Sequence, residues 1–314
     1  MKILVMMMWA NIQPSIRNLD AFVDSVVKPY NEHIDEYSND FHFCAYYSSR
    51  EKCDDVWLDD KTNEFIEVYG VNEDEGIYRT YEKTYKMFKY ACDNMQFDLI
   101  VRINVSMWLN LRLLDEVCSQ FKDDVVYCNA INTCINGSSE YVNDLYPRGD
   151  LMIMQRSVVQ GIVKVGGKYM YEDANLNKRI GVDHVDDCII GICLIDLYGR
   201  EYFKHIIPLR YNYCPDSNIV LNKFDEFAIG SRLKSTPPDM HSGYSWDDND
   251  YRLNDVTKFN ELKNISEPWR SDDFKGVAID ELIVSRDKSR PTIFIEGVNK
   301  RIDETILKYL SNKR

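Results

Sequence analysis

The sequence predicts an α/β protein in which helices flank a mostly parallel β-sheet. Apolar runs typical of buried strands occur at residues 2–9, 41–47 and 97–103. Between them lie segments with helical spacing. The clearest is residues 78–92, where one face would carry Tyr81, Tyr85, Phe88 and Ala91. Strands that alternate with helices indicate βαβ units and therefore parallel strand pairs.

The remaining elements up to residue 200 follow the same alternation. A helix over residues 16–27 should end before Pro29, because proline disrupts the interior of a helix. The later elements that we expect are a helix at 109–121, strands at 124–129 and 151–154, and helices at 157–163 and 186–197. Asp186 and Asp187 fall in the first turn of the last helix, where the helix dipole favours carboxylates.

The pattern loosens after residue 200. We expect short strands at 203–208 and 227–233, a polar surface loop at 235–250, and a terminal strand and helix at 292–298 and 303–310. This organisation predicts one α/β domain over residues 1–210. A C-terminal extension over residues 211–314 would pack on it and help to complete its functional site.

Composition limits the classes of partner. The 314 residues include 38 Lys and Arg against 51 Asp and Glu, a formal net charge of −13. Such an acidic chain argues against a nucleic-acid partner, because binding phosphate backbones needs clustered cations. No apolar run approaches the roughly 20 residues of a transmembrane helix, and nine cysteines without a CxxC pair indicate reduced thiols. We therefore expect a cytoplasmic protein without a transmembrane segment.

Several common catalytic signatures do not occur in the sequence. It has no Walker A loop, no GxGxxG after a strand, no HExxH and no GxSxG. These observations disfavour an ATPase, a dinucleotide-dependent oxidoreductase and a zinc hydrolase.

Four other local patterns follow one another in a fixed order. They are EGIYRTYEKT at 75–84, FDLIVRINVS at 97–106, YPRG at 146–149 and VDDCIIGICL at 185–194. In order and spacing they resemble four segments of the β-1,3-galactosyltransferase-like (family 31 type) glycosyltransferases and their small bacterial and viral relatives. Those segments read D-x-Y-x-N-L-T-x-K-T, F-[DFL]-L-L-K-[TC]-D-D-D, Y-P-x-x-x-G and E-D-V-x-x-G-x-C/L. The resemblance covers roughly residues 1–210.

The resemblance implies a GT-A fold, a Rossmann-like sheet that binds a nucleotide sugar at the carboxyl ends of its parallel strands. That location agrees with the general rule for ligand binding in open α/β sheets. In the family, a D-x-D at the end of a strand binds a divalent metal ion that bridges the diphosphate of the donor. Here the matching positions are Asn104, Val105 and Ser106, so both carboxylates are replaced.

This replacement leaves two alternatives for the charge of the diphosphate. Mn²⁺ or Mg²⁺ could be bound weakly, since hard cations prefer carboxylate oxygens. Otherwise protein cations neutralise the diphosphate, and arginine suits bidentate phosphate contacts. The candidate cations are Lys83, Arg102, Arg148, Arg232, Lys234 and His241. Asn104 and Ser106 would either contact the donor or only form the turn at the end of the strand.

Asp186 and Asp187 match the acidic pair that, in the inverting enzymes of this family, includes the general base. A general base needs a carboxylate within hydrogen-bond reach of the acceptor hydroxyl. By position we favour Asp186 as the base, with Asp187 next. The alternative for this pair is helix N-capping. Trp108 is either a core residue or a stacking platform for an acceptor sugar, and Gly149 is a second candidate for acceptor contact.

The sequence therefore predicts a glycosyltransferase. It would move a sugar from a nucleotide-diphosphate donor to a hydroxyl of a glycan acceptor, with inversion, and a bacterial or viral setting would suit an enzyme without a membrane anchor. The alternative is a catalytically degenerate GT-A protein that binds glycans or nucleotide sugars. A glycoside hydrolase is a weaker third hypothesis, because adjacent carboxylates do not face each other across a cleft.

Overall fold

The computed structural model describes residues 1–8, 13–49, 63–69, 80–129, 131–133, 145–169, 186–213, 228–233, 249–266 and 278–283. The strands are β1 Lys2–Met8, β2 Asp40–Ser49, β3 Asn63–Tyr69, β4 Leu99–Asn104, β5 Met107–Leu109, β6 Val126–Cys128, β7 Ile131–Thr133, β8 Leu145–Pro147, β9 Leu151–Gln155, β10 Ile206–Pro208, β11 Asn212–Tyr213 and β12 Gly230–Arg232. The α-helices are α1 Gln13–Phe22, α2 Lys28–Glu32, α3 Thr80–Asn94, α4 Leu111–Ser119, α5 Arg156–Gly166, α6 Asp186–Tyr198, α7 Asn249–Ser266 and α8 Ile279–Leu282. None of these helices combines the length and apolar character needed to cross a membrane.

The main sheet has the order β10-β6-β9-β4-β1-β2-β3. Every pair in it is parallel except the two pairs made by β9, which runs antiparallel to β6 and β4. The mostly parallel α/β sheet that the sequence predicts is therefore confirmed. Because β1, β2 and β4 run in the same direction, their carboxyl ends share one edge of the sheet.

Alternation along the strands divides the core into two layers. On β1, Ile3, Val5 and Met7 face one layer, which contains side chains of α1, α4, α7 and α8. Leu4 and Met6 face the other layer, which contains side chains of α3, α5 and α6. The side chains of a strand point alternately to its two faces, so each residue of β4 is assigned to one layer by its position.

Two sequence-based boundaries are wrong. Pro29 does not end the first helical region, because a π-helical turn at Val23–Val27 is followed directly by α2, where Pro29 occupies the first turn. A proline in the first turn of a helix removes no internal hydrogen bond. The predicted strand at 203–208 is largely a 3-10 helix, Gly199–His205, and only Ile206–Pro208 forms a strand.

Elements after residue 210 pack on the main sheet region. β12 pairs antiparallel with β5, which places Ser231 opposite Trp108. Asn18 on α1 donates a hydrogen bond from Nδ2 to Oδ2 of Asp255 on α7 at 3.1 Å. α7 begins at Asn249, so the last residues of the predicted loop at 235–250 are helical. The division at residue 210 stays a prediction, and the predicted elements at 292–298 and 303–310 lie outside the described residues.

The packing of α3 against α5 generates a stability prediction. The hydroxyl of Tyr81 donates to the carbonyl oxygen of Gly166 at 3.0 Å, and a Cβ atom at Gly166 would clash with that hydroxyl. Gly166→Ala should therefore lower the free energy of unfolding by about 1–3 kcal/mol through overpacking. Tyr81→Phe should lower it by about 1 kcal/mol.

The double variant tests the cause of both losses. Phenylalanine removes the oxygen atom that the new methyl group would strike, so the double variant should lose less than the sum of the single losses. Urea unfolding of the four proteins measures this difference. Strictly additive losses would contradict the proposed contact.

Candidate functional site

Arg102 and Asp186 form an ion pair inside the protein. Arg102 lies on β4 at the position that faces the α3–α5–α6 layer, and it has no exposed surface. Its Nη2 atom donates to Oδ2 of Asp186, the first residue of α6, which is 3% exposed. Thr84 on α3 donates to the same oxygen at 3.1 Å. The Asp186 side chain is thus held by both the sheet and a neighbouring helix.

The environment keeps Arg102 charged. Burial is the largest single effect and acts to lower the pKa of the guanidinium group, but Asp186, Tyr46 and Asp187 together outweigh it and raise the pKa above its ordinary value. A buried charge of this kind is stable only when it is paired and hydrogen-bonded.

Asp187 has a different environment from its neighbour. It is partly exposed, and its carboxylate accepts hydrogen bonds from the backbone N–H of Gly149 at 3.2 Å and of Cys188 at 2.9 Å. Burial and the negative charge of Asp186 raise its pKa to about 7, against the opposing effects of the two N–H donors and of Arg102. One carboxylate of the pair is thus locked in an ion pair, and the other titrates near neutral pH.

Gly149 packs closely against both Arg102 and Asp187. A Cβ atom at this position would lie 3.2 Å from Nη1 of Arg102 and 3.2 Å from Cβ of Asp187. Both distances are shorter than ordinary van der Waals contacts, so a larger residue would press on the buried guanidinium and on the carboxylate. The backbone of residues 148–150 can approach both groups because position 149 has no side chain.

A second cluster lies on the same segment, around Asp150. Oδ2 of this buried carboxylate is 2.6 Å from Nε of Arg148 and 3.2 Å from Nη1 of Arg232. Asn104, at the end of β4, donates from Nδ2 to Oδ1 of Asp150 at 3.3 Å, and Asn129 donates to Oδ2 at 3.2 Å. The cluster therefore joins the ends of β4 and β6 to β12.

The structure brings together several of the residues that the sequence nominates. Arg102, Gly149, Asp186 and Asp187 lie against one another. Arg148 and Asn104 contact Asp150, the residue that follows Gly149 in the chain. The sequence predicts that Asn104, Val105 and Ser106 lie at the end of a strand. In the structure Asn104 is the last residue of β4, and Val105 and Ser106 form the turn that follows.

The other nominated residues lie in the core, in a turn, on a buried part of α3 or outside the described residues. Trp108 is on β5, 3% exposed and packed in the core, which fits the core interpretation better than a sugar-stacking platform. Ser106 is buried in the turn between β4 and β5, where its carbonyl oxygen accepts from the N–H of Leu233 at 2.9 Å. Lys83 is buried on α3. Lys234 and His241 lie outside the described residues.

The residues at the end of β4 do not fit the divalent metal ion that the resemblance implies. Asn104 and Ser106 offer an amide and a hydroxyl, which carry no charge. The carboxylate beside them, Asp150, is already paired with two guanidinium groups. Mn²⁺ and Mg²⁺ prefer carboxylate oxygens, and no group of three or more His, Cys, Asp or Glu side chains suited to a metal ion occurs among the described residues.

Sequence reasoning missed Asp150, Asn129 and the contact of Thr84. Asp150 directly follows the YPRG segment. A search for the carboxylate nearest in sequence to the nominated Arg148 could have identified it. Thr84 belongs to the segment at 75–84, but the sequence analysis assigned it no role. Its contact with Asp186 depends on how α3 packs against α6, which local sequence does not encode.

Comparisons with known proteins give structural similarities only, since neither a family model nor a curated protein matches this sequence. One similar structure is the galactosyltransferase LgtC in complex with donor and acceptor sugar analogs, with a TM-score of 0.45 and 11% identity over 86% of this chain and 99% of that chain. Another is mouse xyloside xylosyltransferase 1 in its apo form, with a TM-score of 0.43 and 9% identity over 76% of this chain and 100% of that chain. The α/β assignment depends on the strand order and register, not on these similarities.

The buried ion pair generates a second stability prediction. Arg102→Met should lower the free energy of unfolding by about 3–5 kcal/mol, because it leaves the Asp186 carboxylate buried without its counter-charge. Adding Asp186→Asn should recover part of this loss, since it removes the unpaired charge. Denaturant unfolding of the single and double variants measures both effects.

Arg112→Met is the matched control. Arg112 also pairs with an acidic residue, Glu36, but the side chain of Glu36 is 41% exposed. Exposed pairs contribute about 0–1 kcal/mol, so this variant should lose much less stability. Equal losses at positions 102 and 112 would contradict the importance of burial.

Proposed function

We propose that this protein is a glycosyltransferase in which Asp187 is the general base. The proposed reaction moves a sugar from a nucleotide-diphosphate donor to a hydroxyl of a glycan acceptor. The observation that carries the proposal is the unequal pair at the start of α6. Asp186 is buried and neutralised by Arg102, whereas Asp187 is partly exposed and has a pKa of about 7.

The environments of the two carboxylates favour Asp187 as the general base. The sequence alone favoured Asp186. A general base must reach the hydroxyl that it deprotonates, and it works best when its pKa is near the operating pH. Asp186 has little exposed surface, and its Oδ2 atom already accepts from Arg102 and Thr84. Asp187 is held by two backbone donors and keeps more exposed surface than Asp186.

The proposed step is a single displacement. Asp187 takes the proton of the acceptor hydroxyl as its oxygen forms a bond to the anomeric carbon of the donor. The bond from that carbon to the diphosphate oxygen breaks, and the nucleoside diphosphate leaves with the electron pair. Attack from the face opposite the leaving group inverts the configuration at the anomeric carbon.

Asp187→Asn is the variant that tests this proposal. With a panel of UDP- and GDP-sugars and glycan acceptors, the wild-type rate should rise with pH up to about 7 and then level off, because the base must be deprotonated. Asp187→Asn should lower the rate by about 10²–10⁴-fold, the usual contribution of a general base. The released nucleoside diphosphate measures the rate.

Two further variants make the assay specific. Asp186→Asn removes a negative charge beside Asp187, so the rising limb of the pH profile should move to lower pH. Asp196→Asn removes a carboxylate about 14 Å further along α6, whose partners are Tyr169 and Lys168, and should leave the rate unchanged. Full activity in Asp187→Asn would contradict the assignment of the base. If nucleotide sugars bind but none is consumed, the chain is a binding module instead.

A further inference from the structure

We infer that Gly149 is a positioning residue for the proposed base. Its backbone N–H and its lack of a side chain together hold the Asp187 carboxylate in the orientation in which it receives the proton of the acceptor. This inference rests on the proposed function, because it names a residue that acts through the base of the same reaction. The observations that carry it are the hydrogen bond between the two residues, the anchoring of the chain around residue 149, and the small distance between the two residues.

The carboxylate of Asp187 accepts one hydrogen bond at each oxygen atom. Oδ1 accepts from the N–H of Cys188 at 2.9 Å, and Oδ2 accepts from the N–H of Gly149 at 3.2 Å. The first bond joins neighbouring residues, so it does not fix the carboxylate relative to the rest of the site. Among the described residues, Gly149 is the only donor to this carboxylate from outside α6. Its bond therefore sets the direction of the Asp187 side chain relative to the sheet.

Gly149 provides a fixed reference because the chain around it is anchored. It lies between β8, which ends at Pro147, and β9, which begins at Leu151. The carbonyl oxygen of residue 150 accepts from the N–H of Asn104 at 3.3 Å, and the N–H of Leu151 donates to Oδ1 of Asn129 at 3.3 Å. These bonds tie the segment that carries the donor to the ends of β4 and β6.

Close approach explains why glycine suits this position. The φ angle of Gly149 lies outside the left-handed region that favours glycine, so backbone conformation does not require it. A Cβ atom would lie 3.2 Å from Cβ of Asp187 and 3.2 Å from Nη1 of Arg102, so a neighbour would have to move by a few tenths of an ångström. Arg102 has no exposed surface and pairs with Asp186. Asp187, which is partly exposed, is therefore the group that moves.

A displaced Asp187 would make a weaker hydrogen bond to Gly149. N–H···O bonds in proteins extend to about 3.2 Å, and this bond already has that length. Since a hydrogen bond to a carboxylate favours its charged form, weakening the bond raises the pKa of Asp187. The charged groups that act most on this carboxylate are Asp186 on α6, which raises its pKa, and Arg102 on β4, which lowers it. A methyl group between Arg102 and Asp187 would separate them, which raises the pKa further.

The first experiment follows the amide of Gly149 through a pH titration of the full chain, without substrate. Residues 148 and 149 form the only Arg-Gly pair in the sequence, so carbonyl-¹³C arginine combined with ¹⁵N glycine selects this amide by NMR. The signal should titrate with the midpoint of the Asp187 carboxyl, near pH 7, and should stop titrating in Asp187→Asn. A signal that does not respond to pH, or that titrates equally in Asp187→Asn, would overturn the inference.

Gly149→Ala measures the consequence for the reaction. The rising limb of the pH–rate profile should move upward by about one pH unit, the effect expected from losing a hydrogen bond to a charged group. This movement is opposite in sign to that expected for Asp186→Asn. Partial unfolding would lower the rate by the same factor at every pH, so a limb that stays in place would overturn the inference. If the variant fails to fold, the titration of the wild-type amide decides the question.

Gly161→Ala is the matched control. It adds the same methyl group on α5, at 3.0 Å and 3.1 Å from the two Cδ atoms of Leu197 on α6. The crowding is similar, but it falls on an apolar side chain about 15 Å along the helix from Asp187. The variant should keep the pH profile and the amide titration of the wild type. An equal movement of the limb in Gly161→Ala would contradict the assignment to position 149.

The outcomes also separate this inference from the proposed function. A Gly149 amide that titrates with Asp187 in a chain that transfers no sugar would overturn the glycosyltransferase proposal and leave the hold of Gly149 on Asp187 standing. Sugar transfer by a chain whose Gly149 amide does not follow Asp187 would do the reverse.

Discussion

Arg102 lies within the main sheet with no exposed surface, so its positive charge needs a partner inside the protein. Asp186 supplies that charge from the first turn of α6, and Thr84 on α3 donates to the same carboxylate oxygen. Because transfer of an unpaired ion into the interior costs several kcal/mol, β4, α3 and α6 are stable only in positions that keep these groups together. The ion pair therefore holds the first turn of α6 against β4.

The position of Asp187 follows from this constraint. Burial and the negative charge of the neighbouring Asp186 raise the pKa of Asp187 to about 7. The short segment 148–150 then links this pair to a second set of contacts. Gly149 donates its N–H to Asp187, whereas Arg148 pairs with Asp150.

The features that depend on local patterns could be predicted from the sequence. Apolar runs and helical spacing predict β1, β4 and α6 because burial of one face follows directly from those patterns. The same spacing placed Asp186 and Asp187 in the first turn of α6, but only the resemblance nominated them as the acidic pair of the site. The partner of Arg102 could not be predicted, since an arginine within a strand has the same local sequence whether it binds a substrate or a buried carboxylate. The contribution of Arg232 depends on the register between β12 and β5, which are more than a hundred residues apart. Pro29 was misread because a π-helical turn places it in the first turn of a new helix.

The central claim is that the Arg102–Asp186 pair leaves Asp187 as the carboxylate that changes protonation near neutral pH. Its most direct test is an NMR titration of the side-chain carboxyl carbons in ¹³C-labelled protein, with the Asp187 signal assigned by its loss in Asp187→Asn. The account predicts a midpoint near pH 7 for this signal. A midpoint near pH 4, the ordinary value for an aspartate, would contradict it.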